Sequence, residues 1–296
     1  MSLCGHRGEV QNPRRVTKSA DTIGLLGDTA ARSYESKLQR FYAFAEPELR
    51  AAIASLGLRS NMRVLDAGCG AGGALAWFLE FVTGEGLVLG IDLAAAHASA
   101  ARANTPGSAF VVQADILKPP LGAASFDLVW CVNTLNHFRD PVVAVTALKA
   151  LVRDGGRLVI GQSSFLPDMY FAWDYRLERL TTEATRQCYR DRYALDERDT
   201  TGARAVVGVL RRAGLTKLEA KTLVIERTSP LAPADVEYLT GLLVKNISGE
   251  KLKPYLSGAD HEELTHLCDP SDVAFALRRP DFHFLQTFTL LVATVQ

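Results

Sequence analysis

Two aspartates stand at the ends of hydrophobic runs that have the length of β-strands. Asp66 lies within the run Arg63–Ala67, and Asp92 ends the run Leu87–Ile91. Strands that alternate with helices form a parallel sheet, whose carboxyl ends meet at one edge. We therefore expect both carboxylates at that edge, where they can accept hydrogen bonds from an ammonium group and from hydroxyls.

A glycine-rich segment links the first of these strands to the following helix. Gly68, Gly70 and Gly72 lie where backbone amides and the start of a helix can receive a polar ligand. Gly68, Gly70 and Gly73 also fit the G-x-G-x-x-G fingerprint of dinucleotide sites, so the glycines alone leave NAD open. However, Asp66 would repel a pyrophosphate and attract a cationic amino group, which favours an ammonium-bearing ligand.

Asp92 has two interpretations. It is well placed to accept hydrogen bonds from both hydroxyls of a ribose, a role that suits either type of cofactor. Alternatively, it caps the alanine-rich helix that follows it. Cys69, between two glycines, is interpreted as a small residue that the turn tolerates rather than as a nucleophile, because no base lies near it in sequence.

The elements that must position these residues follow from apolar periodicity. Runs with the length of strands alternate with helical patterns, which predicts an α/β fold with a doubly wound, mostly parallel seven-stranded sheet. An N-terminal helical cap and helical lid insertions complete the prediction, with Met169–Arg192 as one helix. The predicted strands are Arg63–Ala67, Leu87–Ile91, Phe110–Gln113, Phe126–Val132, Arg157–Gly161, Leu218–Ile225 and Phe284–Val295.

The same pattern predicts the domain organisation. Residues 1–60 form a tail and helical cap, 61–162 the cofactor-binding core, and 163–200 a helical lid insertion. Residues 201–228 continue the core, 229–281 form a second helical insertion, and 282–296 the closing strand.

Composition limits the classes of partner. The 33 Lys+Arg residues balance 33 Asp+Glu residues, so the basic excess typical of nucleic-acid-binding proteins is missing. The five cysteines form no Cys-x-x-Cys pair, which favours reduced thiols in a cytoplasmic protein. There is no signal-peptide pattern and no run of 18 apolar residues. We expect no nucleic-acid partner, no stable membrane insertion, and a monomer or homodimer.

Residues 62–162 resemble the small-molecule type of class I S-adenosylmethionine-dependent methyltransferases. The resemblance implies a Rossmann-like core with S-adenosyl-L-methionine as cofactor. It rests on five segments in the family's order: Val64–Gly72 for the glycine motif, Ile91–Leu93 for the ribose-binding strand end, Gln113–Ile116 for the adenine-binding turn, Ser125–Trp130 for the fourth strand, and Leu151–Ile160 for the fifth.

The resemblance also implies roles for individual residues. Asp66 and the amides of the glycine turn would hold the methionine part, Asp92 the ribose, and Asp115 the adenine amino group. Leu93 and Ile116 would pack on the base. The further predicted cofactor contacts are Ala114, Asn133 and Tyr34.

The segment after the fourth strand is expected to reach the methyl end of the cofactor. Methyl transfer from a sulfonium is an in-line displacement, so the protein mainly aligns the reacting groups and excludes water. The family often has paired histidines here, but in this chain the first is Asn136. His137 is therefore the candidate base or acceptor contact. Its alternative role is to orient the loop before Asp140.

Aromatic residues after the fifth strand are candidates for an acceptor pocket. We expect them to surround an apolar or aromatic acceptor, with Tyr42 of the cap on the other side; simple core packing is the alternative. Glu178 is a candidate base or stabiliser of a cationic intermediate, unless it is a solvated charge of the helix. The aromatic candidates are Phe165, Tyr170, Trp173 and Tyr175.

No metal site is predicted. His261 and His266 resemble an H-E-x-x-H pair, but they are five residues apart and diverge by about 140° on a helix at 100° per residue.

The sequence thus predicts methyl transfer from S-adenosylmethionine to a small, hydrophobic or aromatic acceptor of secondary-metabolite or lipid-like type. A nucleic-acid or protein methyltransferase is a rival, but the Asn-Pro-Pro-Tyr type of motif that presents a flipped base is missing after the fourth strand. An NAD(P)-dependent oxidoreductase and a non-methylating S-adenosylmethionine-binding protein are the alternatives from other classes.

Overall fold

The computed structural model describes residues 35–163, 170–171, 174–193, 203–247 and 249–296. The strands are β1 (Arg63–Ala67), β2 (Leu87–Asp92), β3 (Ala109–Gln113), β4 (Phe126–Val132), β5 (Val152–Ser163), β6 (Tyr170–Phe171), β7 (Leu218–Thr228) and β8 (His283–Thr294). The helices are α1 (Glu35–Phe44), α2 (Glu46–Ala54), α3 (Gly73–Leu79), α4 (Ala95–Asn104), α5 (Pro141–Leu151), α6 (Tyr175–Tyr193), α7 (Ala203–Arg212), α8 (Pro233–Leu242) and α9 (Gly258–Cys268).

The strands form one mixed sheet in the order β3-β2-β1-β4-β5-β8, with β7 on the far side of β8. Strands β1 to β5 are parallel, whereas β8 runs antiparallel to both β5 and β7. The order reverses between β1 and β4, and such a switch point opens a crevice at the carboxyl ends of the strands. The predicted α/β, doubly wound and mostly parallel sheet is confirmed.

One local prediction was wrong. The segment Met169–Arg192 was expected to be a single helix, but Tyr170–Phe171 pairs with Leu285 and Phe284 of β8 and forms β6. Since β5 pairs with β8 from Phe288 onward, β6 continues the line of β5 along the same edge. The sheet therefore has eight strands but is seven strands wide, since β5 and β6 share one position beside β8. The helical spacing of the side chains did not predict β6, because its pairing depends on the free edge of β8.

Side chains of the central strands alternate between two apolar layers, as period-two geometry requires. In β4, Leu128 and Trp130 face the layer that contains α2, α3 and α8, whereas Val129 and Cys131 face the layer that contains α5 and α7. All four are almost completely buried. Burial on both faces leaves only the strand ends accessible to a polar ligand.

A buried ion cluster attaches the N-terminal helices to this sheet. Arg227 of β7 donates to Glu48 of α2 at 2.7 Å and to Asp235 of α8 at 2.9 Å. It also donates to the Phe44 carbonyl, and its guanidinium lies 4.8 Å from the centre of the Phe44 ring. Arg227 therefore fixes the junction between α1 and α2 against the core.

Within the described part of the chain, the helices are too short or too polar to span a membrane.

Candidate active site

A cleft opens at the carboxyl ends of β1, β2, β3 and β4. It encloses about 890 Å³ of space, including the solvent at its mouth. Nine residues that the sequence assigned to cofactor or acceptor line it together: Tyr42, Gly68, Gly70, Asp92, Leu93, Asp115, Ile116, Asn133 and His137. No Lys or Arg belongs to the described lining, so the cleft favours a cationic or neutral ligand over a pyrophosphate.

The glycine turn follows β1, and its glycines have the positive φ angles that favour this residue. Gly68 has φ +82° and Gly72, which precedes α3, has φ +85°. A Cβ on Gly68 would overlap Thr134 Oγ1, and a Cβ on Gly70 would lie 2.9 Å from Leu38 Cδ1. These positions therefore need glycine both for backbone conformation and for close packing.

Asp66 lies beneath this turn as a buried carboxyl. Its side chain is 1% exposed, and its Oδ2 has no hydrogen-bond partner among the described residues. Burial, and secondarily the charge of Asp92, raise the pKa of Asp66 to about 8. A buried acceptor without a partner is unfavourable in isolation and would be satisfied by an ammonium donor.

Asp92 is held by backbone donors on two sides. Its Oδ2 accepts from the Gly70 amide and its Oδ1 from the Ala94 amide, each at 2.9 Å. The ring of His97 also contacts Oδ1, with Nδ1 at 3.4 Å. Asp92 thus orders both the glycine turn and the start of α4, and it lines the cleft as well. Ala94 is itself the N-cap residue of α4, and this helix has no side-chain cap hydrogen bond, so the alternative that Asp92 caps α4 was wrong. The ribose role of Asp92 stays a prediction.

The turn after β3 contributes the other predicted adenosine contacts. Asp115 Oδ1 accepts from the Leu117 amide at 2.8 Å. Ala114 is buried and donates its amide to the Asp92 carbonyl, whereas Ile116 lines the cleft. Asp115 also lines the cleft, so its carboxylate is a candidate acceptor for the adenine amino group.

Asn133 joins the ends of β4 and β5. It has φ +51°, and its Oδ1 accepts from the Ser163 amide at 2.8 Å and from Gln162 Nε2 at 3.2 Å. Its Nδ2 donates to Ser163 Oγ at 3.0 Å. We call Asn133, Gln162 and Ser163 the strand-end clasp. The clasp uses the side chain of Asn133 within the protein, so its predicted contact with the cofactor stays a prediction.

His137 ends a short 3₁₀ turn, Leu135–His137. This turn follows Asn133 of the strand-end clasp and lies near the glycine turn. Thr134 packs against Gly68, and its carbonyl accepts from the His137 amide at 3.0 Å. Asp140 separately caps α5 by accepting from the Val142 amide at 2.9 Å. The structure thus places His137 on the cleft wall, while the loop also leads directly into α5.

Tyr42 reaches the cleft from α1. Its ring packs against the backbone of Gly73, where a Cβ would lie 2.5 Å from the ring. The centre of the ring lies 5.5 Å from that of the Trp77 ring. Burial, followed by the charge of Asp66, raises the pKa of its hydroxyl well above the ordinary value. The structure thus places Tyr42 beside the glycine turn, although the sequence assigned it to the acceptor.

The predicted lid is only partly described. Tyr34, Phe165 and Trp173 lie outside the described residues, and Tyr170 is described by its backbone alone. Tyr175 is 79% exposed, and Glu178, whose pKa is raised by burial, is half-buried on α6. Neither of these two side chains lines the cleft, so the acceptor pocket stays a prediction.

Eight further residues line the cleft although the sequence gave none of them a contact with cofactor or acceptor: Leu38, Phe41, Cys69, Ala94, His97, Val132, Thr134 and Phe138. Only His97 offered a signal, as a polar ring in the first turn of an otherwise alanine-rich helix. Elsewhere, no group of three or more described side chains is arranged to hold a metal ion.

Comparison with known proteins identifies the domain that holds the cleft. A family profile for the methyltransferase domain matches residues 65–160, the part that carries the glycine turn, Asp92, Asp115 and β4. The predicted resemblance to class I S-adenosylmethionine-dependent methyltransferases is confirmed for this domain. The matched region ends in β5 and so covers the strands whose carboxyl ends border the cleft.

Two curated relatives each match part of this chain. The chain is 36% identical over 129 residues to malonyl-(acyl-carrier protein) O-methyltransferase of Enterobacter lignolyticus, covering 42% of this chain and 48% of the relative. It is 30% identical over 118 residues to 27-O-demethylrifamycin SV methyltransferase of Amycolatopsis mediterranei, covering 38% and 42%. The chain spans about half the length of the curated relatives it matches.

Solved structures share the fold over a larger part of the methyltransferase. A candidate methyltransferase from Bacillus halodurans superposes with a TM-score of 0.50 at 16% identity, covering 83% of this chain and 99% of that one. At this identity the likeness concerns the fold alone.

Proposed function

We propose that this protein transfers a methyl group from S-adenosylmethionine to a small, hydrophobic or aromatic acceptor of natural-product or lipid-like type. The observation that carries the proposal is the buried Asp66, whose Oδ2 lacks a partner among the described residues. Asp66 lies in β1, directly before the glycine turn of a cleft lined by Asp92 and Asp115. Two matched relatives are named as methyltransferases of malonyl-(acyl-carrier protein) and of 27-O-demethylrifamycin SV, and neither name denotes a nucleic-acid acceptor.

The cleft fits the cofactor group by group. Asp66 would receive the ammonium, the Gly68 and Gly70 segment would lie against the methionine part, and Asp92 would accept from the ribose hydroxyls. Asp115 would accept from the adenine amino group, beside Ile116. When bound, S-adenosylmethionine supplies an electrophilic methyl group on a positively charged sulfur.

The protein's own contribution would be alignment and exclusion of water. The Thr134–Phe138 loop and α1 both contribute residues to the cleft lining, and an in-line displacement gains most from holding the reacting atoms in register. His137 is the described imidazole on the loop wall. It would hold the acceptor or take its proton if the acceptor is a hydroxyl or an acidic carbon.

Cofactor class can be tested by calorimetry on the full chain with S-adenosylmethionine and with NAD. We expect binding of the first and none of the second. NAD binding without S-adenosylmethionine binding would replace the proposal by the oxidoreductase alternative.

Activity can be tested by mass spectrometry of a library of small acceptors incubated with protein and S-adenosylmethionine. We expect a product heavier by about 14 Da, the mass of one CH₂. Tight cofactor binding with no methylated acceptor across the library would favour the non-methylating alternative.

His137→Ala tests the role of the imidazole. Once an acceptor is known, we expect the variant to lose more turnover than cofactor affinity, roughly 10²-fold or more in kcat, which is the usual contribution of a positioned acid or base. Equal losses in both, or no loss, would leave His137 as a residue that only orients its loop.

A further inference from the structure

His97 is an unassigned cleft residue in direct contact with the predicted ribose site. It lies in the first turn of α4, five residues after Asp92, and its ring lines the cleft beside Leu93 and Ala94. Its side chain is 10% exposed, and its Nδ1 lies 3.4 Å from Asp92 Oδ1. Most first-turn neighbours are alanines, so packing alone does not require an imidazole here.

The geometry points to His97 as a positioning residue for S-adenosylmethionine: it orients the Asp92 carboxylate toward the ribose. The inference rests on the proposed function, since the ribose belongs to that cofactor. Asp92 is already held by the Gly70 and Ala94 amides, one on each oxygen. The third contact, from the ring, fixes the rotation of the carboxylate about its last bond.

Proton placement follows from the chemistry of the two groups. An ionised carboxylate only accepts hydrogen bonds, so the Nδ1 that faces Asp92 must carry the proton. Such a bond to an ionised acceptor is stronger than one between neutral groups. A carboxylate has about four lone-pair sites, two on each oxygen. The Ala94 amide and His97 occupy Oδ1 and the Gly70 amide occupies one site of Oδ2, so Oδ2 keeps a site for a ribose hydroxyl.

Charge gives a second reason for a histidine at this position. Asp66 and Asp92 are close enough for the charge of Asp92 to raise the pKa of Asp66. Among the described lining residues only His97 and His137 are basic, and Nδ1 of His97 lies 3.4 Å from the Asp92 carboxylate. An N–H directed at Asp92 therefore stabilises its charge without adding a fixed cation that would repel the sulfonium.

A double-mutant cycle tests whether His97 acts through Asp92. The affinity of S-adenosylmethionine is measured by calorimetry for wild type, His97→Leu, Asp92→Ala and the double variant. We expect His97→Leu to weaken binding roughly tenfold and Asp92→Ala roughly 5- to 150-fold, the range of a hydrogen bond to a charged group. In the Asp92→Ala background, His97→Leu is expected to change the affinity less than about twofold.

Conservative and remote variants complete the design. His97→Asn places an amide N–H near the position of Nδ1, and we expect it to bind within about threefold of wild type. His266→Leu is the matched control, because His266 also contacts a carboxylate, Asp272 at 2.6 Å, but is 58% exposed on α9. We expect it to leave cofactor affinity unchanged.

The outcomes separate the two proposals. If wild type binds no S-adenosylmethionine, the proposed function fails. If wild type binds and His97→Leu binds equally well, or if the two substitutions add in the double variant, only the role of His97 is overturned.

A spectroscopic measurement covers the case in which His97→Leu does not fold. Nitrogen-15 spectra of the wild-type imidazoles are expected to show a proton on Nδ1 of His97, assigned by comparison with His97→Asn. An Nδ1 without a proton would overturn the inference.

Discussion

At the scale of single residues, the strand that leads into the glycine turn holds a buried carboxyl, Asp66, one oxygen of which has no partner among the described residues. Asp66 is buried, and neither an ion pair nor a hydrogen bond to its Oδ2 is found within the described ranges. Such a group is neutral over most of the physiological range, because its pKa is raised to about 8. A cationic ligand would have to displace its proton, which couples binding to pH.

We predict that the affinity for S-adenosylmethionine increases from pH 6 to pH 8. Below the raised pKa of Asp66, binding to the ionised form must first remove a proton, which costs roughly tenfold in affinity per pH unit. Calorimetry across this range measures the slope. Asp66→Asn is the control, since its amide does not titrate and should abolish the slope. A pH-independent wild type would contradict the assignment of Asp66 to the ammonium.

The stability of the free protein should follow the opposite trend. The pKa of Asp66 is about 8 in the folded state, against about 3.9 for an unfolded chain. The folded state therefore holds an extra proton between these values, and its contribution to stability, complete below about pH 4, is lost as the pH rises through about 8. Urea unfolding at several pH values should show a shallower decline for Asp66→Asn than for wild type.

At the scale of elements, the cleft depends on two attachments that bring distant segments together. The strand-end clasp holds the loop after β4 to the end of β5. The Arg227 cluster holds α1 and α2 against the edge of the sheet. One attachment positions the wall with His137, and the other positions the wall with Leu38 and Tyr42.

We predict that Asn133→Gly and Asn133→Ala differ in stability. Both lose the hydrogen bonds of the clasp, but alanine must also adopt φ +51°, which costs an L-residue about 1 kcal/mol more than glycine. Denaturant unfolding should therefore rank wild type above glycine and glycine above alanine. Asn133→Asp, which can accept the same bonds from Ser163 and Gln162, should lie nearest wild type. Equal stability of all four proteins would show that the clasp contributes nothing.

We predict that Arg227→Met destabilises the protein and weakens cofactor binding. Its side chain is 15% exposed, and its removal leaves Glu48 and Asp235 without their buried partner, at a cost of about 3 kcal/mol. Arg279→Met is the matched control, since the Arg279–Asp281 pair is largely exposed and should cost less than about 1 kcal/mol. Thermal unfolding and calorimetry measure both effects. An Arg227→Met protein as stable as the control would exclude the cluster as an anchor of the cap.

At the scale of the whole molecule, the 33 basic and 33 acidic residues balance in number but are distributed unevenly. The described cleft lining holds Asp92 and Asp115 and no Lys or Arg, with Asp66 beneath. In contrast, Arg176 on α6 is paired on the surface with Asp260 and Glu263. The acidic edge suits a cationic cofactor, and it disfavours polyanionic acceptors through repulsion.

This distribution predicts the preferred acceptors. In a methylation assay with a labelled methyl group, we expect transfer to neutral apolar molecules and none to duplex DNA or RNA. We expect nucleic acid to stay unlabelled at both 50 and 200 mM salt. Binding to a polyanion weakens strongly as the salt concentration increases, so the lower concentration would reveal even a weak nucleic-acid substrate. Salt-sensitive labelling of nucleic acid would contradict the prediction.

The sequence was sufficient for the sheet and for the cofactor edge. Runs such as Phe126–Val132 are short and apolar throughout, and a glycine turn after a strand has a local backbone requirement. These features depend on neighbours in sequence, so their order identified the doubly wound core. The spacing of Tyr170 and the residues after it favoured helix, but pairing of Tyr170–Phe171 with β8 depended on an edge more than a hundred residues away in sequence.

What the sequence by itself determined is which groups stand at the carboxyl edge of the sheet: Asp66, Asp92, Asp115 and the glycine turn between strand and helix. Only the tertiary structure decided how they are partnered. It places the Asn133 side chain against β5, Tyr42 beside the glycine turn, and His97 in contact with Asp92. The physical reason is that the length and periodicity of an element are local properties, whereas the facing of a side chain depends on how separate elements pack.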